Sequence, residues 1–176
     1  MRKIVSAAIF LFFFSNIYSQ QKHKLTGYLQ FQYTHTLYDL TKGNNLWGIG
    51  TGLFVFIDGK SAFKPALDLT ADIYLVDDKV YRMYTDGSEM VSVHGTVCLF
   101  PGISFQPKGR FFAGIYGGPS LVSSSVLLGI KPSMGIYFDD KHRWAGKLSY
   151  INIFNRDYRG GQDFGSWSAS IGVRIF

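Results

Sequence analysis

His35 is followed four residues later by Asp39, and Asp77 and Asp78 open a polar stretch further along, so one imidazole and several carboxylates could meet at one end of a fold. A histidine beside a carboxylate is part of a nucleophilic site, and the part still needed is a hydroxyl or thiol within reach. The segment Asp77-Asp78-Lys79 supplies none, so acyl transfer through a serine has no nucleophile there. His94 shares its parity with Ser92 and Thr96, which reads most simply as hydrogen bonding inside a fold. His23, His35, His94 and His142 have no metal-ligand spacing, and the single Cys98 builds neither a disulfide nor a thiolate site, so no metal, cofactor or catalytic set is expected. The remaining charges are more informative. Asp68, Asp72, Lys131, Lys147 and Arg174 each sit on the polar side of an otherwise apolar alternating segment, where paired inside a narrow space they would form a charge network. In the stretch VDDKVYRMYTDGSE, Tyr81, Arg82 and Tyr84 offer aromatic anchors and a phosphate-binding guanidinium for loop contacts.

The elements that must position these residues are strands. Leu25, Leu29, Phe31, Tyr33 and Leu37 share one parity against Thr26, Tyr28, Gln30, Gln32, Thr34 and Thr36, the period of a sheet with one apolar face. The same alternation recurs from Leu46 to Ile57, with Gly48, Gly50 and Gly52 on the second face, and from Ala66 to Leu75, with Asp68 and Asp72 on the polar face. It continues from Val91 to Phe105, where Pro101-Gly102 predicts a bulge or an early strand end. A fifth strand is read from Phe111 to Gly118, and the small residues around Pro119 to Ser124 read as a short outer connection. The rest run from Val126 to Phe138, Trp144 to Phe154 and Ser166 to the terminus. No segment keeps helical spacing over ten residues. The second, fourth and sixth connections are tight turns while the first, third and seventh are longer or more polar, the pattern of an up-and-down barrel whose ends face different surroundings.

Composition decides which face is wet. Residues that are 47% hydrophobic and 17% aromatic with only 17% charged leave too little charge for a soluble surface, where about 25% is usual. The polar face is mostly Gly, Ser, Thr, Gln and Tyr, a poor exterior and a good lumen. Trp47, Trp144, Trp167, Phe138 and Phe154 lie near strand ends, where interfacial aromatic belts sit. Ahead of the strands, Arg2 and Lys3 precede the apolar run IVSAAIFLFFF, and Ile17 and Ser19 occupy −3 and −1 positions, so residues 1–19 read as an export signal and 20–176 as one barrel domain. At about 1.5 Å per residue that run is too short to cross about 30 Å of hydrocarbon as a helix. A net charge of +6, lowered further when Arg2 and Lys3 leave, is too mild to argue for nucleic acid.

With an export signal, an even strand count and a last strand SWSASIGVRIF ending in Phe176, residues 24 to 176 resemble the small eight-stranded outer-membrane β-barrels of Gram-negative bacteria. The resemblance implies an all-β, eight-stranded antiparallel up-and-down transmembrane β-barrel in the outer membrane. Its partners would be outer-membrane lipids and lipopolysaccharide, and the barrel-assembly machinery that reads Phe176. One departure concerns that signal: the family places alternate apolar residues in register with the terminal aromatic, whereas Ser168, Ser170, Gly172 and Arg174 share the parity of Phe176. NNLWGIGTGLF after His35 also resembles the outer-membrane palmitoyltransferase for lipid A, a family that pairs its histidine with Asp-Ser where this chain has Asp77-Asp78-Lys79. The expected function is therefore a non-enzymatic integral barrel with a side-chain-filled lumen, serving envelope structure or surface interaction through its loops. The alternatives are a lipid-A-modifying enzyme using His35 and rim carboxylates, or a soluble lipocalin-like periplasmic binder with Leu67, Leu69 and Ile73 turned inward.

Overall fold

The computed structural model describes residues 24–37, 44–76, 95–122, 125–154 and 163–176. Eight strands follow in chain order: β1 (Lys24–Thr36), β2 (Asn44–Asp58), β3 (Phe63–Val76), β4 (Gly95–Phe105), β5 (Phe111–Val122), β6 (Ser125–Tyr137), β7 (Trp144–Phe154) and β8 (Phe164–Arg174). Each is antiparallel to the next, and β8 returns to β1, so the sheet closes and leaves no free edge. The export segment, residues 1–19, lies outside the described residues.

Alternation becomes inside and outside. On β1, Tyr28, Gln30, Gln32, Thr34 and Thr36 are buried in the lumen, while Phe31 is 59% exposed on the outer face. Around the barrel the outer face carries Ile49, Ile73, Ile115, Val126, Leu128 and Met134, all more than half exposed. An apolar surface this continuous is incompatible with water and matches the hydrocarbon of a bilayer. Leu67, Leu69 and Ile73 are among these outward residues, which removes the arrangement a soluble lipocalin-like binder requires.

Two strands differ from expectation around their prolines. β4 runs through Pro101-Gly102 without a bulge, and β5 continues past Pro119 to Val122, so the outer connection is confined to residues 123–124. The reason lies in the direction of the missing donors. The β3–β4 ladder is unbroken through Leu67↔Pro101 and the β5–β6 ladder through Pro119↔Leu128. For both of these prolines pairing lapses instead along the β4–β5 seam, between Cys98↔Ser120 and Gly102↔Tyr116. Both prolines thus turn their unfilled positions to one shared seam, at the cost of a single interrupted ladder. Gly118 permits the approach, because a Cβ there would overlap the Leu99 carbonyl and crowd Pro101 Cδ.

The tight turns are tied by local polar contacts. Asp58 Oδ1 accepts from Gly59 N at 3.1 Å and pairs with Lys64 Nζ at 2.5 Å. Arg110 on the β4–β5 turn reaches Asp140 on the β6–β7 turn at 2.7 Å. Asp139 accepts from the Arg143 and Trp144 backbone N–H groups at 2.7 and 3.1 Å, and from Arg143 Nε at 2.9 Å. The Arg143 hydrogen bond chiefly, with the two backbone donors, holds the Asp139 carboxyl down at about 2. A carboxylate depressed in the folded state stabilises fully above its ordinary value of about 4 and loses that contribution as pH falls toward 2. A carboxyl NMR titration is expected to place the Asp139 midpoint near 2, and Arg143→Ala to return it toward the ordinary aspartate range; an unmoved midpoint in that variant would reject Arg143 as the cause.

Candidate functional site

An eight-stranded barrel leaves an interior only wide enough for side chains, and here they fill it. At the turn end Tyr28, Phe54, Phe56, Phe112, Tyr116 and Tyr137 form one aromatic plug, with ring centroids from 4.8 Å (Phe112 to Tyr137) to 6.5 Å (Tyr28 to Phe54) apart. His142 closes it from below. Its φ of 51° carries the turn back under the barrel, its ring stacks on Tyr137 at 4.1 Å, and its carbonyl accepts from the Tyr28 hydroxyl at 2.5 Å.

Directly above the plug lies charge. Asp68 Oδ2 is 2.7 Å from Lys147 Nζ and 3.1 Å from Lys131 Nζ, and all three side chains are shut off from solvent. The Lys147 ammonium also sits 4.8 Å over the Phe54 ring, so the aromatic plug supports one arm of the cluster. The expected network is therefore divided. Asp72 joins no ion pair among the described residues; its Oδ1 accepts from Gln32 Nε2 at 2.6 Å. The route is opened by Gly50, which stands between them in register with both Gln32 and Asp72, and where a Cβ would overlap the Asp72 carboxylate. Arg174 takes no part either. It lies at the far end of β8, where its Nε donates to the Phe176 carbonyl at 3.2 Å. Higher in the lumen come Thr34, Thr70, Thr96, Ser120, Ser166, Ser168 and Cys98, all buried, below an edge-on contact of Tyr74 with Phe164 at 5.7 Å. Cys98 is thus a small buried lumen residue.

Phe176 resolves the parity departure in its sequence. Ile175 N donates to Gly27 O at 2.9 Å, while Gly27 N donates to Phe176 O at 3.0 Å, so two residues of one strand oppose a single residue of the other. That is a β-bulge, and it moves Phe176 off the lumen parity of Arg174. Its ring covers the outer face of Gly27, where a Cβ would collide with it, at the seam where β8 closes on β1. The aromatic side chain accordingly stands on the same outer face as Trp167, Ile171 and Ile175.

His35 faces outward and is exposed at the loop end of β1, in register with Trp47 on β2 and Trp167 on β8. Asp39, Asp77, Asp78, His94 and the loop residues Tyr81, Arg82 and Tyr84 lie outside the described residues. Among the described residues no cluster of His, Cys, Asp and Glu could hold a metal.

Solved structures share this architecture. The Yersinia pestis outer membrane protein Ail, determined in a phospholipid bilayer nanodisc, superposes with a TM-score of 0.55 over 86% of this chain and 100% of that one, at 11% identity. A de novo designed transmembrane β-barrel matches with a TM-score of 0.50 over 89% of this chain and 98% of that one, at 9% identity. No family model and no curated protein matches the sequence. The chain has the closed, all-antiparallel fold of small eight-stranded outer-membrane barrels.

Proposed function

We propose that the chain is an integral outer-membrane barrel whose lumen is closed by its own side chains, and that it serves envelope structure or surface interaction through the connections at its loop end, without catalysis. One observation carries this reading: the molecule is apolar outside and polar inside, with charge buried at Asp68, Lys131 and Lys147 and large apolar groups exposed on every strand. The aromatic plug and the ion cluster above it block the only axial path, so a diffusion pore does not fit. The outward Phe176 supports recognition by the assembly machinery, the outer belt implies outer-membrane lipids as neighbours, and Tyr81, Arg82 and Tyr84 are the loop residues best suited to lipopolysaccharide contact. Export would remove residues 1–19.

Envelope fractionation followed by gel mobility before and after boiling tests the reading. Recovery in the outer membrane, a heat-dependent mobility shift and an intact mass starting at Gln20 or Gln21 are expected. Recovery in the soluble periplasm would overturn it.

A further inference from the structure

The outer face is not uniform around the barrel. At the loop end, Tyr150, Trp167, His35 and Trp47 are consecutive register partners across β7, β8, β1 and β2, making one outward rung of four rings. Trp167 packs on Tyr150 at 5.3 Å and Trp47 stacks on Tyr33 at 6.4 Å, so the rung is held in place by its neighbours. On β4, β5 and β6 the outward residues nearest the loop end among those described are Val97, Leu121 and Val126. A general interfacial belt would ring the barrel; among the described residues this rung runs over β7, β8, β1 and β2.

Directly beneath it runs a groove of about 840 Å³, lined by Phe31, Tyr33, Ile49, Ile73 and Ile171 as walls and by Thr51, Ala71 and Ala169 as a shallow floor. It falls within the ~300 to 1,000 Å³ of small-ligand sites. Three of the four rung residues stand two positions above a groove residue on their own strand: Trp167 above Ala169, His35 above Tyr33, Trp47 above Ile49. Thr51 fits the apolar floor because its hydroxyl donates to the Gln30 carbonyl at 3.0 Å, which turns its methyl group outward. The groove is continuous with the lipid-facing belt, so a lipid chain is the occupant its chemistry fits. The rung above supplies two indole N–H donors, an imidazole and flat aromatic faces, a set that suits phosphate oxygens and sugar rings at the membrane surface. A second apolar groove, toward the turn end and lined by Phe105, Ala113, Met134 and Leu148, shares Ala169 with the first and lies below Tyr150 and Trp167, without the His35 and Trp47 side of the rung.

We propose that the β8–β1–β2–β3 face binds a phosphorylated, multiply acylated sugar lipid of the outer leaflet, one acyl chain in the groove and its phosphorylated sugar against Trp167, His35 and Trp47. The inference rests on the outer-membrane reading. Its test uses the full barrel in phosphatidylcholine nanodiscs doped with purified bis-phosphorylated lipid A, with retained lipid counted by native mass spectrometry. The wild type is expected to hold one lipid A in preference to phosphatidylcholine. Filling the floor with Thr51→Leu and Ala71→Leu, or removing the rung with His35→Leu and Trp167→Leu, is expected to lower retention about tenfold, while Ala113→Leu in the other groove leaves it unchanged. Equal retention in all variants, or phosphatidylcholine held as well as lipid A, would overturn the proposal. Failure of the outer-membrane reading would instead appear as a wild type without heat-modifiable mobility.

Discussion

Asp68→Ala is expected to cost the barrel about 3–5 kcal/mol, the range found when one partner of a buried charge cluster is removed. Asp68 Oδ2 is the shared acceptor of Lys131 and Lys147, so one truncation leaves two ammonium groups buried and uncompensated. Urea midpoints of the barrel refolded into vesicles read this loss directly, and the heat-modifiable form should convert at lower temperature. Asp72→Asn is the contrast. Its new amide oxygen still accepts from Gln32 Nε2, and no lysine loses an ion-pair contact, so a change below about 1 kcal/mol is expected. Replacing the whole cluster with Asp68→Leu, Lys131→Met and Lys147→Met should recover most of what Asp68→Ala loses, because apolar groups of similar volume remove the uncompensated charge as well as the pairing. An Asp68→Ala barrel as stable as the wild type would show that the cluster does not hold the lumen together.

The division of labour between sequence and tertiary structure is visible in these residues. That Asp68, Asp72, Lys131 and Lys147 face the lumen follows from period-two spacing, and that the polar face is interior follows from its shortage of charge. Which carboxylate meets which lysine does not follow, because Asp68 and Lys147 are 79 positions apart and their meeting is set by closure of the whole barrel. The Asp72 contact with Gln32 needed a strand to be crossed, and its permission comes from the absence of a side chain at Gly50. Pro101 and Pro119 read locally as strand breakers. Their tolerance depends on both missing donors pointing to one seam, a relation between two strands that neither segment expresses alone. The rung of Tyr150, Trp167, His35 and Trp47 is likewise a product of register: the sequence places aromatic residues near strand ends without showing that these four are neighbours.

Removing Phe176 is expected to separate folding from assembly. The ring covers Gly27 on the outer face and is half-exposed, so the shortened chain should still refold in detergent with a modest drop in its urea midpoint. In cells its yield in the outer membrane should fall more than about tenfold, since loss of an aromatic anchor at a recognition site commonly costs about 2 kcal/mol or more. Deleting Ile175 instead distinguishes the face of the ring from the register of the strand. The bulge places Ile175 and Phe176 together opposite Gly27; without Ile175 the phenylalanine takes the regular position opposite Gly27, whose parity is already outward. Trp167, Ala169, Ile171 and Val173 would then lie in simple alternation with the aromatic ring. Assembly should therefore survive deletion of Ile175 and fail on Phe176→Ala, measured as heat-modifiable protein in the outer-membrane fraction. If deleting Ile175 abolished assembly as fully as removing Phe176, while refolding in detergent persisted, the bulge itself and not the outward ring would be the recognised feature.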